Sequence, residues 1–99
     1  MQNNLVNLTA IITSLPDKVE EMKALLLELV SHSTKEEACI QYDLHQVTEE
    51  PNVFIFHEIW KDAKGLEEHN NKKHILTFRE ASAPLLQEPV KVYITNKIQ

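Results

Sequence analysis

The sequence has 99 residues, a formal net charge of −5 at pH 7, one glycine and one cysteine. Its length predicts one domain over residues 1–99, and its acidic balance argues against a nucleic-acid partner, which requires a basic face. A single glycine excludes a Gly-rich nucleotide-binding loop, and no apolar run approaches the roughly 18 residues that span a membrane. The lone Cys39 excludes an internal disulfide. Together with a first segment that lacks a signal-peptide pattern, it favours the cytoplasm.

The first predicted elements are a strand and a long helix. Residues 5–13 are rich in β-branched and apolar side chains, which is typical of a strand. Ser14 is expected to cap the helix that follows, Pro16 suits its first turn, and Asp17 favours the positive end of its dipole. The helix is predicted to run to about residue 35. Its apolar stripe, at a period of 3.6 residues, consists of Val19, Met22, Leu25, Leu26, Leu29 and Val30.

Two strands are predicted next, over residues 39–48 and 53–60. The turn sequence between them predicts an antiparallel hairpin. In the first of these strands, alternation places Ile40, Tyr42 and Leu44 on one face. In the second, one face is predicted to hold Phe54, Phe56, Glu58 and Trp60.

Two shorter helices and a last strand complete the chain. Asp62 is expected to be the N-cap of a helix that ends near residue 70. A further helix is predicted over residues 74–86, with an early end favoured by Pro84. The final strand is predicted over residues 90–96. One face of the second short helix is predicted to hold His74, Phe78, Ala81 and Leu85.

This order, β-α-β-β-α-β with the second helix broken in two, predicts an α+β fold of the ferredoxin-like type. In that fold the helices cover one face of an antiparallel sheet. Every predicted strand nevertheless carries apolar residues on both faces. We therefore expect a second copy of the chain to cover the other face, which gives a homodimer with its sheets packed face to face.

The candidate chemistry lies in the stretch 54–78, which holds Glu58, Trp60, His69 and His74 on elements that are predicted to pack together. The indole of Trp60 offers a flat apolar wall to an aromatic ligand. A half-buried Glu58 can orient a histidine or act as a base with a raised pKa. His69 and His74 are candidate acid–base groups. The alternative for all four is an ordinary role in the core, with hydrogen-bonded histidines beside a buried tryptophan.

A second histidine pair, His45 and His57, is expected on adjacent strands with matching parity. A metal site there would need Asp43 or Glu58, but Glu58 faces the other side of its strand from His57. No tight His-x-His or Cys-x-x-Cys spacing occurs, so the sequence favours no metal. Tyr42 can be either a core residue or a pocket hydroxyl.

These motifs together resemble the antibiotic biosynthesis monooxygenase (ABM) family. Three segments carry the resemblance, and the flanking strands and the first helix extend it over nearly the whole chain. The segments are Glu36-Glu37-Ala38-Cys39-Ile40-Gln41-Tyr42, then Phe54 to Trp60, then His69 through His74 to Phe78. Ala38 departs from the pattern, because the family usually has glycine there.

The resemblance implies a dimeric α+β barrel with a pocket between sheet and helices. It also implies that a quinol or polyphenol is oxygenated without flavin, haem or metal. An electron-rich phenolate can pass an electron to O2, so the protein need only deprotonate the substrate, hold it and exclude water. By resemblance, His74 or His69 would be the base or would orient it, with Glu58 in support. The residues implied to bind substrate are Trp60, Tyr42, Asn7 and Phe78.

Three other functions fit the same fold. One is isomerisation of a small phosphorylated dione, although Lys72 and Lys73 are the only adjacent basic pair in the sequence. Another is haem breakdown, for which His74 would be the iron ligand. The third is a barrel that binds a small molecule without catalysis. Fold alone does not decide among them.

Overall fold

A computed structural model describes residues 4–99. The elements, in chain order, are β1 (Val6–Thr13), α1 (Val19–Ser33), β2 (Cys39–Gln46), β3 (Val53–Trp60), α2 (Ala63–Asn70), α3 (Lys73–Ser82), a 3₁₀ turn (Ala83–Leu85) and β4 (Lys91–Thr95). The predicted order and the break in the second helix are confirmed. Over residues 4–99, no helix is long and apolar enough to cross a membrane.

The four strands form one sheet in the order β2-β3-β1-β4, and all neighbours are antiparallel. This confirms the ferredoxin-like arrangement. The two central strands are β1 and β3, where Leu8 lies opposite Glu58 and Ile12 lies opposite Phe54. Side chains of α1 and α3 join the buried cluster on this face of the sheet, so the helices cover the face to which Glu58 belongs.

The core confirms both the apolar stripe of α1 and the predicted inner face of β3. Met22 and Leu26 of α1 are fully buried, as is Trp60 of β3. Burying each large apolar side chain stabilises the fold by about 1.5–3 kcal/mol, so these side chains fix how the helix sits on the sheet. The buried apolar residues are Leu8, Ala10, Ile12, Met22, Leu26, Leu29, Tyr42, Phe54, Phe56, Trp60 and Ile75.

The prediction that Ser14 caps α1 is wrong. The helix begins at Val19, and the N-cap residue Lys18 makes no side-chain capping hydrogen bond. Ser14 is instead fully buried and forms an antiparallel bridge with Leu86. Its backbone N–H donates to the carbonyl oxygen of Asn52 at 2.8 Å. These long-range bonds extend the strand conformation past Thr13 and delay the helix.

Two other helix-end predictions are confirmed. Asp62 caps α2, because its Oδ1 accepts a hydrogen bond from the Gly65 N–H at 2.7 Å. The helix α3 ends early, at Ser82, and Pro84 lies in the 3₁₀ turn that follows.

The prediction that Ile40 shares a face with Tyr42 and Leu44 is wrong for Ile40. The pairing of β2 with β3 shifts between Cys39, which lies opposite Trp60, and Gln41, which lies opposite Ile59. Ile40 is therefore the extra residue of a β-bulge, and 54% of it is exposed. The bulge keeps Tyr42 on the inner face beside Trp60.

In the described part of the chain, no helix lies on the outer face of the sheet. Ile11, Ile55 and Ile59 lie on it and are half-buried, and Ile55 pairs with Ile11 across β1 and β3. All five residues of the edge strand β4 are exposed. The expectation of apolar residues on both faces of the sheet is confirmed.

Candidate active site

One carboxylate joins the two candidate histidines. Oε2 of Glu36 lies 2.6 Å from His69 Nδ1 and 2.7 Å from His74 Nε2. The exposed fractions of the three side chains are 8% for Glu36, 4% for His69 and 18% for His74. A carboxylate oxygen that accepts two N–H bonds fixes both imidazole rings. We call these three residues the Glu-His-His cluster.

The break between α2 and α3 brings the two histidines together. His69 lies in the last turn of α2, and His74 lies in the first turn of α3. The N–H of Lys72 donates to the carbonyl oxygen of His69 at 3.1 Å, which turns the chain between the helices. Glu36 lies in the connection from α1 to β2, where its N–H donates to the Ser33 carbonyl at 3.1 Å.

Glu58 and Trp60 form a second polar contact beneath the helices. Both point to the inner face because they are two residues apart on β3, and the Trp60 Nε1–H donates to Glu58 Oε1 at 2.9 Å. Burial raises the pKa of Glu58 to about 7, with the Trp60 hydrogen bond lowering it and the Glu36 charge raising it. The Glu58 carboxyl group therefore titrates near neutral pH.

His69 connects the two polar contacts. Its ring centroid lies 4.3 Å from that of Trp60, 5.7 Å from that of Tyr42 and 5.9 Å from that of His74. Burial lowers the pKa of His69, against the opposing effect of Glu36, so the neutral imidazole is favoured. In that form Nδ1 carries the proton that Glu36 accepts. Burial also raises the pKa of the Tyr42 phenol, which stays protonated.

A cleft of about 320 Å³ lies between α1 and α3, with His74 on its wall. That volume is at the small end of ligand sites. The ring of His32 stacks on that of His74, with centroids 5.6 Å apart and planes 19° apart. The cleft is lined by Leu25, Glu28, Leu29, His32, Lys73, His74, Thr77, Phe78 and Ala81.

The structure brings most of the predicted site residues together, but in two layers. His74 and Phe78 line the cleft. The buried layer behind it holds Glu58, Trp60, His69 and Tyr42, which do not line the cleft. Fully buried Trp60 fills space beneath the helices, and the cleft lies between helices instead of between helices and sheet.

Asn7 stands apart from both layers. It pairs with Ile59 and Thr95 and shares the outer face of the sheet with them. Glu58, which was predicted to face inwards, pairs with Leu8 and lies on the inner face of the sheet. Asn7 therefore lies on the other side of the sheet from the helices and the cleft.

His45 and His57 do lie on the outer face, and Glu58 does face away from them, as expected. His57 Nδ1 lies 3.4 Å from the Thr9 hydroxyl, and Asp43 accepts a hydrogen bond from Gln41. Within residues 4–99, the side chains that stand close enough to share an ion are those of the Glu-His-His cluster.

No role was predicted from the sequence for Glu36 or His32. Glu36 is 33 and 38 residues away from its two partners, so no local spacing marks it; its place in the first ABM-like segment was the available signal. His32 lies three residues after Leu29 and seven after Leu25. That helical spacing places it on the cleft side of α1.

Fold and site define the class of this protein: a ferredoxin-like α+β domain with a small cleft between two helices, beside a carboxylate-linked histidine pair of which one member lines the cleft. Residues 6–81 match the family described as antibiotic biosynthesis monooxygenase. The chain belongs to that family, as the motifs predicted. Membership supports a monooxygenase-like function at the level of the family.

Several relatives match over nearly their full length. YcnE of Bacillus subtilis (strain 168), which bears the provisional name of a monooxygenase, is 36% identical over 92 residues, 93% of this chain and 97% of YcnE. PA3566 from Pseudomonas aeruginosa superposes with a TM-score of 0.92 and 34% identity, covering 100% of this chain and 99% of its own. Rv0793 from Mycobacterium tuberculosis gives a TM-score of 0.89 at 25% identity and covers 96% of both chains.

Proposed function

We propose that the protein is a cofactor-independent monooxygenase that oxygenates a quinol or another electron-rich aromatic small molecule with O2 in the cleft between α1 and α3. One observation carries the proposal: His74 lines this cleft while its Nε2 is held by Glu36 at 2.7 Å. The other ring nitrogen, Nδ1, makes no hydrogen bond to a residue between 4 and 99. That nitrogen is the acceptor for a phenolic proton.

The chemistry balances without a cofactor. His74 takes a proton from a ring hydroxyl, and the electron-rich phenolate passes an electron to O2. The two radicals combine at a ring carbon that bears hydrogen, which gives a hydroperoxide. Loss of water from the hydroperoxide leaves a hydroxyquinone. The quinol supplies all four electrons; one oxygen atom enters the ring and the other leaves in water.

The cleft and the buried layer have different tasks in this proposal. The substrate ring packs against the apolar side chains of Leu25, Leu29 and Phe78 in the cleft. Glu36 holds His74 in the tautomer whose Nδ1 accepts the proton. Trp60 and Glu58 pack behind His69 and position the Glu-His-His cluster from the core side, without touching the substrate.

An O2 electrode tests the proposal with reduced naphthoquinols as substrates. We expect His74→Ala to slow O2 uptake by about 100-fold or more, as for loss of a general base. His45→Ala is the matched control, because His45 is exposed on the other side of the sheet, and its rate should stay at the wild-type level. No uptake by the wild type with any quinol, or equal rates for His74→Ala and wild type, would contradict the proposal.

Isomerisation of a small phosphorylated dione is the second candidate, because Lys73 lies on the cleft wall and could pair with a phosphate group. Glu28 on the same wall opposes such an anion. Isomerisation consumes no O2, so turnover of a dione phosphate under anaerobic conditions would favour this candidate.

A further inference from the structure

The Glu-His-His cluster has a second capability that the oxygenase proposal does not use. We propose that Glu36, His69 and His74 bind one divalent transition-metal ion, and that the ion displaces the hydrogen bonds that hold His74 as a base. The three ligand atoms lie within 4.8 Å of one another. Two imidazole nitrogens and one carboxylate oxygen form a donor set that Zn²⁺ and similar ions prefer.

The environment separates this cluster from an ordinary group of surface acids. Its three side chains are between 4% and 18% exposed, and each comes from a different part of the chain. The cluster offers one carboxylate oxygen and two imidazole nitrogens to a single ion. His74 is the most exposed of the three side chains and lies on the wall of the cleft, which gives the ion an entry path.

The geometry needs a small opening to admit the ion. Donor atoms at the tetrahedral angle around an ion at about 2.1 Å lie about 3.4 Å apart. The observed separations from Glu36 Oε2 are 2.6 Å to His69 Nδ1 and 2.7 Å to His74 Nε2. Each imidazole nitrogen must therefore move about 0.7–0.8 Å away from the Glu36 oxygen. Glu36 lies in a connection and each histidine lies at a helix end, so all three positions can adjust.

Protons must be rearranged when the ion binds. His69 Nδ1 and His74 Nε2 now donate N–H bonds to Glu36, and each must offer a lone pair to the metal instead. In the neutral ring the proton then resides on the other nitrogen. His74 Nδ1 would carry a proton in the metal-bound form and could no longer accept one from a phenol. Metal binding is independent of the proposed oxygenase, whereas inhibition by the metal rests on it.

Direct binding measurements test the site. Chelator-treated full-length protein is titrated with Co²⁺ and followed by visible ligand-field absorption, and with Zn²⁺ by calorimetry. We expect one ion per chain for the wild type and at least about tenfold weaker binding for His74→Ala and Glu36→Gln. Zn²⁺ should raise the melting temperature of the wild type by more than that of Glu36→Gln.

The double variant His45→Ala/His57→Ala is the matched control, since it removes the histidine pair on the outer face. It should bind as the wild type does. No bound ion at stoichiometric Co²⁺, equal affinity in Glu36→Gln and wild type, or loss of binding in the double variant would each overturn the inference.

Inhibition is measured separately. Zn²⁺ should reduce O2 uptake in proportion to the occupied fraction of the site. If Zn²⁺ binds as expected but the metal-free protein consumes no quinol, the metal site stands and the oxygenase proposal fails. If the metal-free protein is active and its rate does not change when Zn²⁺ occupies the site, the proposal that the ion stops His74 from acting as a base is wrong.

Discussion

Glu36 is the residue on which the candidate site depends, because one of its oxygens accepts hydrogen bonds from both histidines. In Glu36→Ala two buried N–H donors would lose their acceptor. Leaving buried polar groups unpaired costs about 1–3 kcal/mol each. We expect the free energy of unfolding to fall by about 2–4 kcal/mol in urea denaturation. The exposed neighbour Glu37 provides the control. Glu37→Ala should change the free energy of unfolding by about 0.5 kcal/mol or less. Equal effects of the two substitutions would contradict the role of Glu36.

Glu58 should make stability depend on pH in a direction opposite to that of a usual carboxylate. Its folded-state pKa is about 7 against an ordinary 4.5, so its neutral form favours folding. This contribution to the free energy of unfolding is fully present below pH 4.5 and is lost as the pH rises through 7. The loss amounts to up to about 3 kcal/mol. Glu58→Gln keeps an oxygen for the Trp60 N–H without the charge. It should therefore stabilise the protein at pH 8 and change little at pH 4.5, as measured by urea denaturation at both values. The same difference at both pH values would contradict a raised pKa.

At the scale of single elements, the periodic patterns predicted what local spacing can determine. The stripe that includes Met22 and Leu26 was found because α1 buries one continuous face, and the inner face of β3 followed from strict alternation. Ile40 could not be placed by alternation, since a bulge adds one residue to β2 and shifts the parity. The late start of α1 depends on the pairing of Ser14 with Leu86, a partner 72 residues away that no local signal indicates.

The contact between α2 and the start of β2 explains the chain's single glycine. A Cβ on Gly65 would clash with the Cβ of Ala38, the residue that stands where the family usually has glycine. Alanine is normally favoured over glycine in a helix by about 1 kcal/mol. Here we expect Gly65→Ala to lower the free energy of unfolding by about 1–3 kcal/mol, because overpacking outweighs helix propensity.

A double-mutant cycle isolates this contact. Adding Ala38→Gly to Gly65→Ala removes the obstructing methyl group and should restore most of the lost stability, as measured by thermal and urea unfolding. If Gly65→Ala alone stabilises the protein, as propensity by itself predicts, the close approach of the two elements is wrong.

At the scale of the whole molecule, we propose that a second copy covers the outer face of the sheet. Ile11, Ile55 and Ile59 lie on that face, and no helix within residues 4–99 packs there. The same face on a second copy is a self-complementary partner. Light scattering after size exclusion should give twice the chain mass of 11.5 kDa.

A matched pair of substitutions locates the interface. Ile55→Lys places a charge in the middle of the outer face and should shift the protein towards monomer. Leu27→Lys changes an exposed leucine on α1 and should leave the dimer intact. A monomeric wild type, or dissociation by Leu27→Lys instead of Ile55→Lys, would contradict this arrangement.

The candidate site was predictable in part for reasons that belong to the fold as a whole. Glu58, Trp60, His69 and His74 could be placed near one another because β3, α2 and α3 follow each other along the chain. The role of Glu36 was not predicted, because its contacts connect the segment after α1 to α2 and α3, which lie far along the chain. The place of the cleft depends on how α1 and α3 pack against each other, and the sequence alone does not determine that distance.

The central claim is that His74 deprotonates a substrate in the α1–α3 cleft. Mixing the protein with a quinol in the absence of O2 tests it most directly, since the phenolate has its own absorption spectrum. We expect the wild type to generate bound phenolate at a pH where the free quinol is protonated, whereas His74→Ala should bind the quinol and leave it protonated. Failure of the wild type to form phenolate, or its formation to the same extent in His74→Ala, would contradict the account.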